Sequence, residues 1–185
     1  MDRGVRYLLL IALAAGMLAH ACRRQADGAN LQTVDSLITR VDAAILTLNE
    51  LDAGRFRQGA DAFAARETLF DRRFNDTLDQ KEAELLGSQF LILDAASEMA
   101  ADHERTLKEL EVSAERLRNL RTDVMNAAMS TEEEEKAIGI EQHVHQLLHA
   151  NVEQTIANYR SMQDSWERLP ATDSLLNAAD TVTLP

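Results

Sequence analysis

The sequence predicts an all-α fold: an elongated antiparallel three-helix bundle, or a coiled-coil hairpin built from long helices. Three observations point there. Both prolines, Pro170 and Pro185, lie near the C-terminus, so residues 30–169 contain none. Apolar residues recur at alternating spacings of four and three along three separate stretches. Two short polar corners divide those stretches. A proline-free run with this spacing favours helices that share an apolar seam over turn-rich β structure.

The first arm is expected over residues 31–74. Val34, Ile38, Val41, Ile45 and Leu48 form its seam. Beyond Gly54 the seam resumes as Phe56, Ala60, Phe63, Phe70 and Phe74, one residue out of register. Asp52, Gly54 and Gly59 lie at the slip, where a kink or short break is the natural consequence. Residues 75–77 make a turn, and Thr77-x-x-Gln80 has the spacing of a capping box. The second arm, 78–128, carries Leu86, Phe90 and Leu93, then His103, Leu107, Leu110, Ala114, Leu117, Arg121 and Val124. Met129 and Ser130 form the next corner, and Ser130-x-x-Glu133 is again a capping box. The third arm, 131–169, is threaded by His145, Leu148, Val152, Thr155, Tyr159, Met162, Trp166 and Leu169. Pro170 is expected to end it, leaving 170–185 as a flexible tail with a short helical turn near 172–179. Tight corners between long arms require them to fold back on one another. A hairpin that dimerises, with its first arm partly detached, is the alternative arrangement.

The N-terminus tells of location rather than fold. Arg3 and Arg6 precede an apolar run at 7–18, too short to span a bilayer and suited to a signal peptide over residues 1–21. Cys22, the only cysteine, follows at once. The segment Leu18-Ala19-His20-Ala21-Cys22 resembles the lipobox of bacterial lipoproteins, which implies a diacylglycerol and acyl modification on Cys22. Ala19-His20-Ala21 also satisfies the small-x-small site of ordinary signal peptidase, which would leave Cys22 as a free N-terminal thiol. Acylation removes the liability of a lone exposed thiol in an oxidising compartment. Arg23, in place of aspartate after the cysteine, resembles the pattern of outer-membrane lipoproteins facing the periplasm. Residues 22–30 read as a polar tether.

Loss of Asp2, Arg3 and Arg6 with the leader leaves 30 acidic and 17 basic residues, a net charge of -13 on 164 residues. That length suits one domain. The charge opposes nucleic acid, whose phosphates need a basic patch.

Few residues suggest chemistry. Glu141, His145 and His149 are spaced i, i+4, i+8, within an arc of about 80° on a helix, so they are candidate metal ligands, with His143 nearby. His145-Gln146-Leu147-Leu148-His149 has zinc-peptidase spacing, but Gln146 replaces the glutamate base, which removes that chemistry. The competing structural reading packs His145 in the seam and pairs Glu141 with Arg118 across the corner at 129–130. His103 falls on the seam too far away to join the cluster. The acidic run 132–135 and Arg116, Arg118 and Arg121 complement opposite helix ends. No nucleophile elbow, phosphate loop or nucleotide fingerprint occurs, and neither enzyme activity nor a resident cofactor is expected.

The Cys22 leader, Val34-Asp35-Ser36-Leu37, Phe74-Asn75-Asp76-Thr77-Leu78-Asp79, Glu82-Ala83-Glu84-Leu85-Leu86-Gly87 and Ser130-Thr131-Glu132-Glu133-Glu134 together resemble small coiled-coil lipoproteins of the Bacteroidota that have no assigned function. The resemblance implies a cell-envelope lipoprotein and no activity.

The expectation is thus a non-enzymatic, lipid-anchored scaffold, spacer or adaptor that engages an envelope protein or a second copy of itself. Its expected partner surface is the strip Phe56, Phe63, Phe70 and Phe74, left open by the kink. A metal-binding protein using Glu141, His145 and His149 is the alternative from another class, and a chaperone-like holder is a third.

Overall fold

The computed structural model describes residues 27–178, which are all-α. Six helices follow in order: α1 Gly28–Glu50, α2 Gly54–Ala64, α3 Glu67–Phe74, α4 Gln80–Asp94, α5 Ala96–Met125 and α6 Thr131–Ala178. Cys22 and the leader lie outside the described residues.

Helix α1 begins three residues before the expected arm. Asp27 caps it, its carboxylate accepting from the amides of Ala29 (2.8 Å) and Asn30 (3.3 Å), so the tether expected over 22–30 gives way to helix at Gly28. The seam slip after Leu48 is a true break: α1 stops at Glu50, and α2 starts at Gly54. A second break at Ala65 and Arg66 separates α2 from α3.

The expected capping box at Thr77 is displaced by two residues. Asp79 caps α4 instead, accepting from the amide of Glu82 (2.9 Å), while Glu82 accepts from the amide of Asp79 (3.4 Å). The same pattern, acceptor and then acid or amide three residues on, occurs in both frames; Asp-Glu wins with the better acceptors. The second arm also divides, at Ala95, into α4 and α5.

The last corner follows the expectation. Ser130 and Glu133 cap each other, with the Ser130 amide donating to Glu133 Oε2 (2.8 Å) and the Glu133 amide to Ser130 Oγ (3.3 Å). Before it, α5 ends in a Schellman motif. The Ala128 amide donates to the Asp123 carbonyl (3.0 Å) and the Ala127 amide to that of Val124 (3.1 Å). Ala127 accordingly takes φ 49°, a left-handed conformation more often given to glycine.

Pro170 does not end the third arm. Helix α6 runs 48 residues, through Pro170 to Ala178. Pro170 is exposed, so the carbonyl that loses its amide partner faces water, while Leu169, Thr172 and Leu176 stay buried on the opposite side. Arg66 then secures the extension with a two-pronged ion pair to Asp173, at 2.6 and 2.9 Å. Of the segment expected to be a tail, residues 170–178 are therefore packed helix.

Two cores result. The first joins α1, α5 and the first half of α6 through Val34, Leu37, Val41, Leu117, Ile138 and Leu148, among others. The second joins α2, α3, α4, the start of α5 and the second half of α6 through Phe56, Phe70, Leu86, Leu93, Ala96, Met162 and Leu176. Gly59 lets α2 approach closely: a Cβ there would lie 2.7 Å from Met162 Sδ and 3.0 Å from Ala96 Cβ. At the junction His103 is buried and its Nε2 lies 3.1 Å from the Leu48 carbonyl near the end of α1. It is a packed core histidine, as its seam position implies.

Candidate functional site

The residues singled out from sequence do not assemble into one site. The phenylalanine strip is mostly interior: Phe56 and Phe70 are fully buried and Phe63 is half-buried, leaving only Phe74 exposed, at 42 %. Three of the rings gather around Phe90 of α4, with centroids 5.3 Å (Phe63), 5.5 Å (Phe70) and 5.6 Å (Phe74) away, while Phe56 packs on Tyr159 and His103. Edge-to-face packing of this kind is a core preference of aromatic rings. The kink at Gly54 folds the strip inward rather than opening it, so the expected partner surface is corrected to core.

The metal triad is also divided. Glu141 is buried and held by Arg116, whose Nε donates to Oε1 at 3.1 Å, with Nη2 on the same oxygen. Arg118, the partner expected across the corner, reaches Asp42 of α1 at 2.7 Å instead. The two arginines flank the buried Leu117, so Arg116 faces α6 and Arg118 faces α1. His145 and His149 do come together, ring centroids 6.3 Å apart and nearly parallel, and His149 Nε2 lies 3.4 Å from Glu153. His143 is exposed on another face. Among the described residues no three His, Cys, Asp or Glu side chains are placed to hold a metal ion.

The acidic start of α6 serves the helix. Ser130 hydrogen bonds to the Glu133 carboxylate hold its pKa below the ordinary range. Glu134 is buried and accepts from Asn30 Nδ2 of α1 at 3.2 Å.

Two surface features were not foreseen. The first is an apolar ridge on the outer side of α5 and α6. Ile140, Leu147 and Val112 are 51, 57 and 49 % exposed, although a filled core lies directly beneath. Val112 and Leu147 border a groove of about 510 Å³, rimmed by Arg105, Lys108 and Arg116 and floored by Val144 and Leu148. Their positions fall outside the inward seam, so heptad spacing does not mark them.

The second feature is the groove between α1 and α6. Arg40, His145 and His149 stand at one end of a trough of about 480 Å³ whose floor includes Ala44, Leu110, Val152 and Ile156. Arg40 and His145 also border a polar hollow of about 600 Å³ lined by Gln32, Ser36, Gln142 and Gln146. Burial, then the charges of Arg40 and His149, lowers the His145 pKa below the ordinary imidazole value. Arg40 drew no attention in the sequence because only the pairing of α1 with α6 brings it to the histidines.

No described helix is long and apolar enough to cross a membrane. Comparison of the chain with known protein families, with curated proteins and with solved structures finds no match.

Proposed function

We propose that this chain is a non-enzymatic, lipid-anchored adaptor of the bacterial cell envelope. Its helices form an antiparallel three-armed rod that carries a partner-binding ridge. The single observation that carries the adaptor reading is the exposed ridge Val112, Ile140 and Leu147. Val112 and Leu147 border one groove and Ile140 lies two turns before Leu147 on the same face of α6, and exposed apolar side chains grouped in this way mark interaction surfaces. The rim of that groove is mixed in charge, with Glu109 beside Lys108, Arg105 paired to Asp102 and Arg116 paired to Glu141, so the apolar residues rather than net charge would hold the partner.

The pairings support the rod. Arg121 meets Asp35 and Arg118 meets Asp42, so α5 descends as α1 rises; Asn30 meets Glu134, so α6 rises again. Cys22 stands five residues before the Asp27 cap, close enough to place the start of α1 at the leaflet that holds its acyl chains. Outer-membrane attachment facing the periplasm follows from Arg23. Roughly 0.8 kcal/mol per buried methylene makes multiple acylation a durable anchor.

The test combines anchor and ridge in the intact chain. Metabolic labelling with a radioactive fatty acid is expected to mark the wild type and leave Cys22→Ser unlabelled. A photo-crosslinking residue at 147 is expected to give one discrete adduct in envelope fractions, lost in Ile140→Asp. Absence of label overturns the anchor. A smear or no adduct at 147, beside a clean adduct at exposed position 143, overturns the ridge.

A further inference from the structure

We propose that the α1–α6 groove is a binding site for an anionic amphiphile. Its carboxylate or phosphate head is held by Arg40, His145 and His149, and its apolar tail lies along the trough over Ala44, Leu110, Val152 and Ile156. The site is independent of the anchor and of the Val112 ridge.

The chain carries a net charge of -12, and most of its interhelical cations are already committed. On α5, Arg116 holds Glu141, Arg118 holds Asp42 and Arg121 holds Asp35. Those pairings turn away the carboxylates nearest to Arg40 in sequence and the acid one turn before His145. Arg40 is exposed and forms no ion pair among the described residues. The groups facing His145 are then Arg40 from α1, and His149 and Glu153 beyond it on α6, while α5 contributes only the apolar Leu110 to the trough. Glu153 lies against His149 rather than Arg40, so the Arg40 guanidinium at this end of the groove has no carboxylate partner among the described residues, which favours an anionic ligand over water.

The same cluster disfavours a metal ion. Two stacked imidazoles would be a fair pair of ligands, but a divalent cation there meets the Arg40 charge, and Glu141 is not available to offset it. His145 Nδ1 is buried with no hydrogen-bond partner among the described residues, so the imidazole gains from protonation only when an anion comes near.

The trough makes the ligand an amphiphile rather than a small anion. Ala43 and Ala44 on α1 present only methyl groups opposite Val152 and Ile156, which leaves a shallow apolar trough over the buried Leu110. A volume of about 480 Å³, mostly apolar with a few convergent polar groups, is within the usual range for small-ligand sites. Gln32, Ser36, Gln142 and Gln146 around the adjoining hollow can donate to and accept from hydroxyls on a larger head group.

Binding favours protonated histidines, so affinity rises as pH falls through the imidazole range. The experiment is calorimetric titration of the full chain carrying Cys22→Ser with sodium dodecanoate below its micelle concentration, at pH 7.5 and 5.5. Expected is saturable binding that tightens about tenfold at the lower pH. Arg40→Gln/His149→Gln changes two exposed side chains and so preserves the fold, checked by thermal melting; it is expected to weaken binding at pH 5.5 by about tenfold or more. Ala43→Phe, which fills the trough, is expected to weaken dodecanoate while leaving the response to Arg40→Gln intact. Equal binding of decanol, equal binding of acetate, or unchanged affinity in the double variant each overturns the proposal. So does zinc chloride binding that requires both histidines and outcompetes dodecanoate. Dodecyl phosphate against dodecanoate then distinguishes a phosphate head from a carboxylate one.

Discussion

At residue scale, Ala127 shows a local cost accepted for a corner. Its φ of 49° closes the Schellman motif that ends α5, and a Cβ in that region costs roughly 1–2 kcal/mol. Ala127→Gly removes that cost inside a turn, where the entropy penalty of glycine is smaller than in a helix. It is expected to stabilise the fold by about 1 kcal/mol, read from urea unfolding. His145 gives a second expectation. Its folded pKa is depressed, chiefly by desolvation, so the unfolded chain binds the extra proton first. Stability linked to this group is present above pH 6.5 and declines as pH falls through the lowered folded value. Unfolding midpoints between pH 7.5 and 5.5 should therefore fall less in His145→Gln than in the wild type. An equal decline in both would assign the loss elsewhere.

At the scale of elements, the sequence was most legible where physics is periodic. The seams through Val34, Val41, Leu48, Leu110, Leu117, Val152 and Met162 are buried as their spacing implies, and Ser130 and Glu133 cap α6. The breaks at Ala65 and Ala95 carried no glycine or proline to announce them. They arise because the phenylalanine-rich stretch and α4 must wrap a wider core than a straight seam fills. Pro170 misled for the opposite reason: the rule that proline stops a helix assumes that the lost hydrogen bond matters, and on the exposed face water replaces it. The candidate site was least legible, since which flank of the α5 seam faces α6 and which faces α1 decides that Arg116 rather than Arg118 meets Glu141, and heptad spacing does not say which neighbour each flank meets. If tertiary contacts hold α6 beyond Pro170, two substitutions should act oppositely. Pro170→Ala is expected to stabilise by up to about 3 kcal/mol. Asp173→Ala, which strips Arg66 of its part-buried bidentate partner, is expected to destabilise by about 1 kcal/mol and to speed amide exchange over residues 172–178. Unaltered exchange there would show that helix propensity, not Arg66, carries the extension.

At the scale of the whole molecule, two cores share the long helices α5 and α6 but do not have equal support. The first is built from α1, α5 and α6, with 23, 30 and 48 residues, and their seams pair along their lengths. The second leans on α2 and α3, of 11 and 8 residues, which are too short to persist as helices without packing. Opening of the second core therefore costs less than global unfolding, and it should proceed with the first core intact. Met162, fully buried under Gly59, and Leu117, fully buried against α1, separate the two. Truncation of either to alanine leaves a cavity worth about 2–5 kcal/mol. Met162→Ala is expected to speed hydrogen exchange over residues 54–94 while residues 34–48 stay protected. Leu117→Ala is expected to speed exchange in both, because α6 reaches the second core only from a formed first core. Simultaneous loss of protection in both regions with Met162→Ala would show a single cooperative unit. For a chain held at Cys22, the unequal support has a direction. The first core begins at Val34, early in α1, and carries both the Val112 ridge and the Arg40 groove, so the anchor proposed at Cys22 would sit on its side, while the second core can deform without releasing either.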